Sequence, residues 1–236
     1  MSKPEQIRAF VDSFQSLLNA NRKDVDRIKR ESRLLSIRYK LTLDLRVSIE
    51  TEYSDTKTPD VRECYERLFK FLDLWNVYEI CMSYGERLGM TSKSHEWNSE
   101  FLNEDGIKEF LTAQEGAFKK QFLDSEKNVQ EYREYLSHFA DLPAICNGNK
   151  DKYKKYLSQN AENFDYRQLL FIQYMERNAY YHGGEAARAG IHYSYRKKQL
   201  AFFTEFLTQF VAILGARLFV MEKKFLDTKY NTEEIV

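Results

Sequence analysis

The chain has 236 residues, of which 43% are hydrophobic and 31% charged, a balance that excludes an intrinsically disordered segment and gives enough material to bury a core. Thirty-six Lys and Arg are matched by 36 Asp and Glu, so bulk positive charge cannot hold nucleic acid and any such contact needs a local basic patch. Only 3 Pro and 9 Gly punctuate the chain, too few for an all-β sandwich with its frequent turns.

The N-terminal MSKPEQIRAF has no apolar stretch and is not expected to act as a signal peptide. Pro4 suits a first helical turn, and Ile7, Phe10, Val11, Phe14, Leu17 and Leu18 follow at helical spacing. A second helix is expected over about 24–53, with Val25, Ile28, Leu34, Leu35, Ile37, Leu41, Leu45 and Ile49 as its apolar positions. Between Asn21 and Lys40 it carries eight Lys or Arg against three acids, which reads as a solvated face or as a basic arm for RNA or a partner. The segment YSDTKTPD marks a boundary. Residues 1–57 then form an N-terminal helical arm, and 58–236 the main helical domain.

Thr58 and Pro59 open a densely apolar helix over about 60–88, and Gly89 can stop it. Further helices are expected near 105–123 and 125–140, the latter ended by Asp141-Leu142-Pro143, with a short basic helix around Lys152 to Leu157. Asp165 can cap a helix that carries Leu169, Leu170, Ile172 and Met175 and ends at His182-Gly183-Gly184. Ser194 can cap a last helix to about Phe225, with Phe202, Phe203, Phe206 and Phe210 as core or as a dimer seam. Its apolar stretch from Leu200 to Val220 is interrupted by Glu205, Gln209 and Arg217, which suits a core helix better than a membrane span. The fold class expected is therefore all-α, without membrane attachment. Cys64, Cys81 and Cys146 are far apart, which fits a reducing cytoplasm and no disulfide framework. His95 and His138 lack neighbours at metal-ligand spacing, so no metal site is expected.

Chemistry concentrates in Arg177-Asn178-Ala179-Tyr180-Tyr181-His182-Gly183. On a helix Asn178 and His182 share a face, and Arg177 lies about 140° round from His182 but reaches far enough to meet a common anion. An imidazole with a pKa near 6.5 can move a proton at neutral pH, and a guanidinium steadies developing phosphate charge. That kit suits metal-free RNA cleavage, in which His182 deprotonates a ribose 2′-OH or protonates the leaving 5′-oxygen while Arg177 holds the phosphorane. In-line transfer wants both an acid and a base, which two copies about a two-fold axis would supply. A His near a helix C-terminus is also favoured by the helix dipole with no function at all. After the motif, Arg188, His192, Arg196 and Lys197, together with Tyr181, form a basic and aromatic set that could hold single-stranded RNA; the same residues also read as a solvated helix start and packing.

Arg177-Asn178-x-x-x-His182-Gly183 resembles the signature of HEPN domains (higher eukaryotes and prokaryotes nucleotide-binding), Arg followed after four to six residues by His, often with a polar residue directly after the Arg. The resemblance implies a HEPN-like helical bundle, here with an N-terminal helical extension, and a metal-independent endoribonuclease that needs no cofactor. It implies Arg177 and His182 as the catalytic pair with Asn178 in support, and a homodimer or higher oligomer in which two motifs share one cleft. A toxin or anti-phage effector, held by an antitoxin or an activator protein, is the implied setting. Gly184 stands where one toxin subgroup carries a Tyr that its antitoxin modifies. A non-catalytic helical binding or scaffold subunit is the competing expectation.

Overall fold

The structure, a computed structural model, describes residues 26–50, 58–88, 102–104, 106–140, 163–183 and 193–233. Among them it is all-α: six helices and no strand. They are α1 (Asp26–Asp44), α2 (Thr58–Arg87), α3 (Ile107–Phe122), α4 (Glu126–Ala140), α5 (Tyr166–Gly183) and α6 (Tyr193–Glu233). The expected helices over Pro4–Leu18 and Lys152–Leu157 lie outside the described residues, as do Cys146 and His95.

Local chemistry sets several helix ends. Ser125 Oγ accepts the Asn128 amide at 3.3 Å, capping α4. Gly106, with φ +77°, turns the chain into α3 through a left-handed conformation that a side chain would strain. α1 stops at Asp44, well short of the expected 53. Beyond it the chain finds side-chain partners on α2 instead of its own helix: the Ile49 amide donates to Glu66 Oε1 at 3.3 Å, and Arg62 donates to the Glu50 carbonyl. α6 begins at Tyr193, one residue before Ser194, so Ser194 lies inside the helix, and it runs on to Glu233.

The chain divides into two compact units, and α2 and α6 each contribute to both. The first comprises Met1–Leu45, Asp73–Lys108 and Phe206–Val236. Its core includes Leu74, Trp75, Tyr78, Phe206, Phe210, Val211, Leu214 and Leu218. Tyr78 stacks on Phe210 at 6.0 Å and tilts against Trp75 at 5.0 Å. Trp75 Nε1 donates to Glu79 at 2.9 Å, which places Glu79 in a side-chain bond along its own helix.

α1 is fastened to this unit by polar groups. Its buried residues are Ser32, Leu35, Ser36, Tyr39 and Thr42. Ser32 Oγ donates to Glu222 Oε2 at 2.7 Å, and Tyr84 Oη reaches the same oxygen at 2.5 Å. Tyr39 Oη donates to the Thr208 carbonyl at 2.7 Å, and Thr42 donates to Asp73, beside Arg38 at 3.5 Å. Burial holds the Glu222 carboxyl above its ordinary pKa, against the opposing pull of the Tyr84 and Ser32 hydroxyls.

The second unit comprises Arg46–Leu72 and Glu109–Glu205. Phe118 is its hub. It stacks on Phe164 at 4.7 Å and meets Phe122, Tyr132 and Phe202 at 4.7, 6.0 and 5.5 Å. Cys64 and Cys81 are buried free thiols, and burial pushes Cys64 up to about 11. α6 has the length and apolar composition to cross a bilayer, yet Phe203, Phe206, Phe210 and Leu214 point into protein cores, as the sequence pattern suggests for a core helix.

Candidate functional site

α5 positions the motif, and its start is well fixed. Asp165 Oδ1 accepts the amides of Arg167 and Gln168 at 2.9 and 3.0 Å, while Gln168 Oε1 accepts the Asp165 amide at 3.1 Å. This reciprocal capping box satisfies donors that the first turn cannot pair internally. The Tyr166 amide donates to Glu115 Oε2 of α3 at 3.1 Å, a second restraint on the same end. Along α5, Leu169, Ile172, Gln173, Glu176 and Ala179 recur at helical spacing on the buried face.

The last turns carry two opposite jobs on adjacent residues. Glu176 points inward and is 1% exposed. Arg196 of α6, itself buried, grips it through both terminal nitrogens, Nη1 to Oε2 at 2.6 Å and Nη2 to Oε1. Tyr135 of α4 donates to Glu176 Oε2 at 2.9 Å, and the Arg196 guanidinium lies 5.6 Å from the Tyr135 ring centre. Burial alone would lower the Arg196 pKa; the Glu176 charge beside it outweighs that and holds it above its ordinary value.

Arg177, the next residue, is part-exposed, with its Nε buried. Its Nη1 donates to Asn178 Oδ1 at 2.8 Å, and its guanidinium carbon sits 5.0 Å from the centre of the Tyr181 ring. Tyr181 is exposed, and its ring meets Tyr180 edge-on at 5.5 Å; Tyr180 in turn packs on Phe69 of α2 at 5.7 Å. The guanidinium is thus pre-aimed by an amide oxygen and an aromatic face that both belong to the motif. His182 continues the helix, which runs to Gly183; the His182 side chain lies outside the described structure.

Of the expected RNA-holding set, Tyr181 stands beside Arg177. Arg188 and His192 lie outside the described residues. Arg196 is a correction: it is no surface cation, because its guanidinium is buried and consumed by Glu176. Lys197 is partly exposed and spans Asp60 and Glu63 of α2, at 2.9 Å each. Those bonds, from Glu63 first and then Asp60, raise the Lys197 pKa, and Lys197 in turn lowers that of Glu63. Two carboxylates on one ammonium leave little positive potential there for a phosphate. Sequence reasoning missed Glu176. The available signal was its register, since it falls on the same helical face as Leu169, Ile172 and Ala179, where an ionised group needs a partner. Among the described residues no cluster of His, Cys, Asp and Glu could hold a metal ion.

No family model matches the chain, and no solved structure matches it. The chain is similar to the type II methyltransferase M.EcoRI of Escherichia coli, with 33% identity over 84 residues. That alignment covers 34% of this chain and 25% of the methyltransferase, so the chain spans about a quarter of the length of the curated relative it matches.

Proposed function

We propose that the chain is a metal-independent, HEPN-type endoribonuclease whose site is completed by a second copy. The carrying observation is the last turn of α5, where the part-exposed Arg177 guanidinium meets Asn178 Oδ1 and the ring of the exposed Tyr181. His182, four residues from Asn178, is placed by the helical repeat on the same face. In this reading His182 of one copy takes the proton from a ribose 2′-OH, and His182 of the other returns one to the departing 5′-oxygen. The two Arg177 side chains spread the charge of the five-coordinate phosphate. Tyr181 supplies a face on which an unstacked base can rest. A cytoplasmic toxin or anti-phage effector, with an antitoxin or activator chain to restrain or trigger it, is the setting such chemistry fits.

Purified dimer incubated with RNA in EDTA tests this directly. Cleavage should leave 2′,3′-cyclic phosphate ends, and His182→Ala and Arg177→Ala should each abolish it while the circular-dichroism melt is unchanged. Asn178→Ala should slow it by about ten- to a hundredfold, because the guanidinium loses its guide. Cleavage that requires Mg²⁺, or that survives His182→Ala, sinks the reading. A second reading, a non-catalytic helical binding or scaffold module, is favoured by the outward apolar residues of α1.

A further inference from the structure

α1 is inside-out. Ser32, Ser36 and Thr42 face the protein, while Leu34, Ile37, Leu41 and Leu45 are 49%, 44%, 59% and 37% exposed. Leu45 follows the last helical residue, its amide bonded to the Thr42 carbonyl at 3.2 Å in a 3₁₀-type closing turn that keeps it beside the last turn of α1. At about 100° per residue Leu34, Ile37 and Leu41 span about 60° of arc, and with Leu45 just past the helix end the stripe is about 17 Å long. Isolated exposed leucines need no explanation, but a continuous stripe on a well-anchored helix marks an interaction surface.

We infer that this stripe pairs with the same stripe of a second copy, the two α1 helices running antiparallel about a two-fold axis near residue 39. The spacing reads nearly the same in both directions. Antiparallel pairing therefore sets Leu34 against the partner's Leu45 and Ile37 against the partner's Leu41, and each protomer buries what the other exposes. The flanks decide between a second copy and another occupant. Arg33, Lys40 and Asp44 are exposed along one edge of the stripe. A two-fold of this kind sets that edge against itself, which brings Arg33 within about two residues of axial offset from the partner's Asp44, twice over. Two like-charge neighbours lie near the axis, Lys40 on that edge and Arg38 on the other, and Arg38 is already paired with Asp73 of its own protomer. The pairing stands apart from the ribonuclease reading and holds whether or not RNA is cut.

Sedimentation equilibrium of the full chain over a wide concentration range tests it. The wild type should be dimeric. Leu41→Glu should weaken association at least about a hundredfold, since each copy would bury a charge, while its far-UV circular dichroism stays that of the wild type and its melt no longer depends on protein concentration. Arg33→Asp and Asp44→Arg should each weaken it about fivefold, and the double exchange should restore it. A monomer at every concentration overturns the inference. So does a dimer indifferent to Leu41→Glu, or a monomer that uses the stripe to bind vesicles of anionic lipid. Failure of the double exchange to rescue overturns the antiparallel register. A Leu41→Glu monomer that still cleaves RNA counts against the shared catalytic site and leaves the stripe pairing standing.

Discussion

Each unit buries a glutamate beside a tyrosine hydroxyl, and the two are handled in opposite ways. In the second unit Glu176 is clamped by a guanidinium and a tyrosine. In the first, Glu222 meets two hydroxyls, and burial dominates its titration. A carboxylate with a matched cation keeps its charge at the cost of depending on that cation. A carboxyl among hydroxyls has its pKa raised by burial instead, and its cost becomes a function of pH.

The sharpest way to break the comparison is Arg196→Ala. It leaves the Glu176 charge buried without its cation and should cost about 3–5 kcal/mol in urea unfolding, whereas replacing both residues by Met should restore most of that loss. An equal cost for the single and double variants would mean that packing, rather than charge, carries the effect. Next comes Glu222→Gln. In the wild type the unfolded chain ionises this carboxyl near 4.5, whereas burial raises its pKa in the folded chain. Stability from this residue is therefore full at lower pH and declines as pH rises from 4.5 toward the raised folded value, by at most about 1.4 kcal/mol per pH unit. The Gln variant should lack that decline, and identical pH slopes for the two proteins would refute the assignment. The smallest effect is expected at Asp165→Ala, which removes the α5 cap and should cost about 1 kcal/mol. Because the motif lies at the other end of the helix, any RNA cleavage should be nearly untouched.

Features written in local sequence were legible. Asp165 followed three residues later by Gln168 announces the start of α5, and Arg177-Asn178 places two polar groups where they meet by adjacency. The all-helical class followed from periodicity and from scarce Gly and Pro. What periodicity could not see was partnership across distance. It grouped Leu34, Leu35, Ile37, Leu41 and Leu45 as one apolar set, yet only Leu35 of these is buried. The orientation of α1 is decided by Ser32, Tyr39 and Thr42, whose partners include Thr208 and Glu222 near the far end of the chain. Arg196 was misread for the same reason. In an Arg-Lys-Lys run it looks solvated, and only Glu176 on another helix explains why it is inside.

The separation of Ser32 and Glu222 by 190 residues has a bearing on biosynthesis. At ribosomal rates of about 5–20 residues per second, α1 emerges roughly 10–40 s before the helix that supplies its buried acceptor. Through that interval the nascent first unit lacks Glu222, and for most of it the Thr208 carbonyl too, and the leucines of α1 are available to chaperones or to a neighbouring nascent chain on the same message.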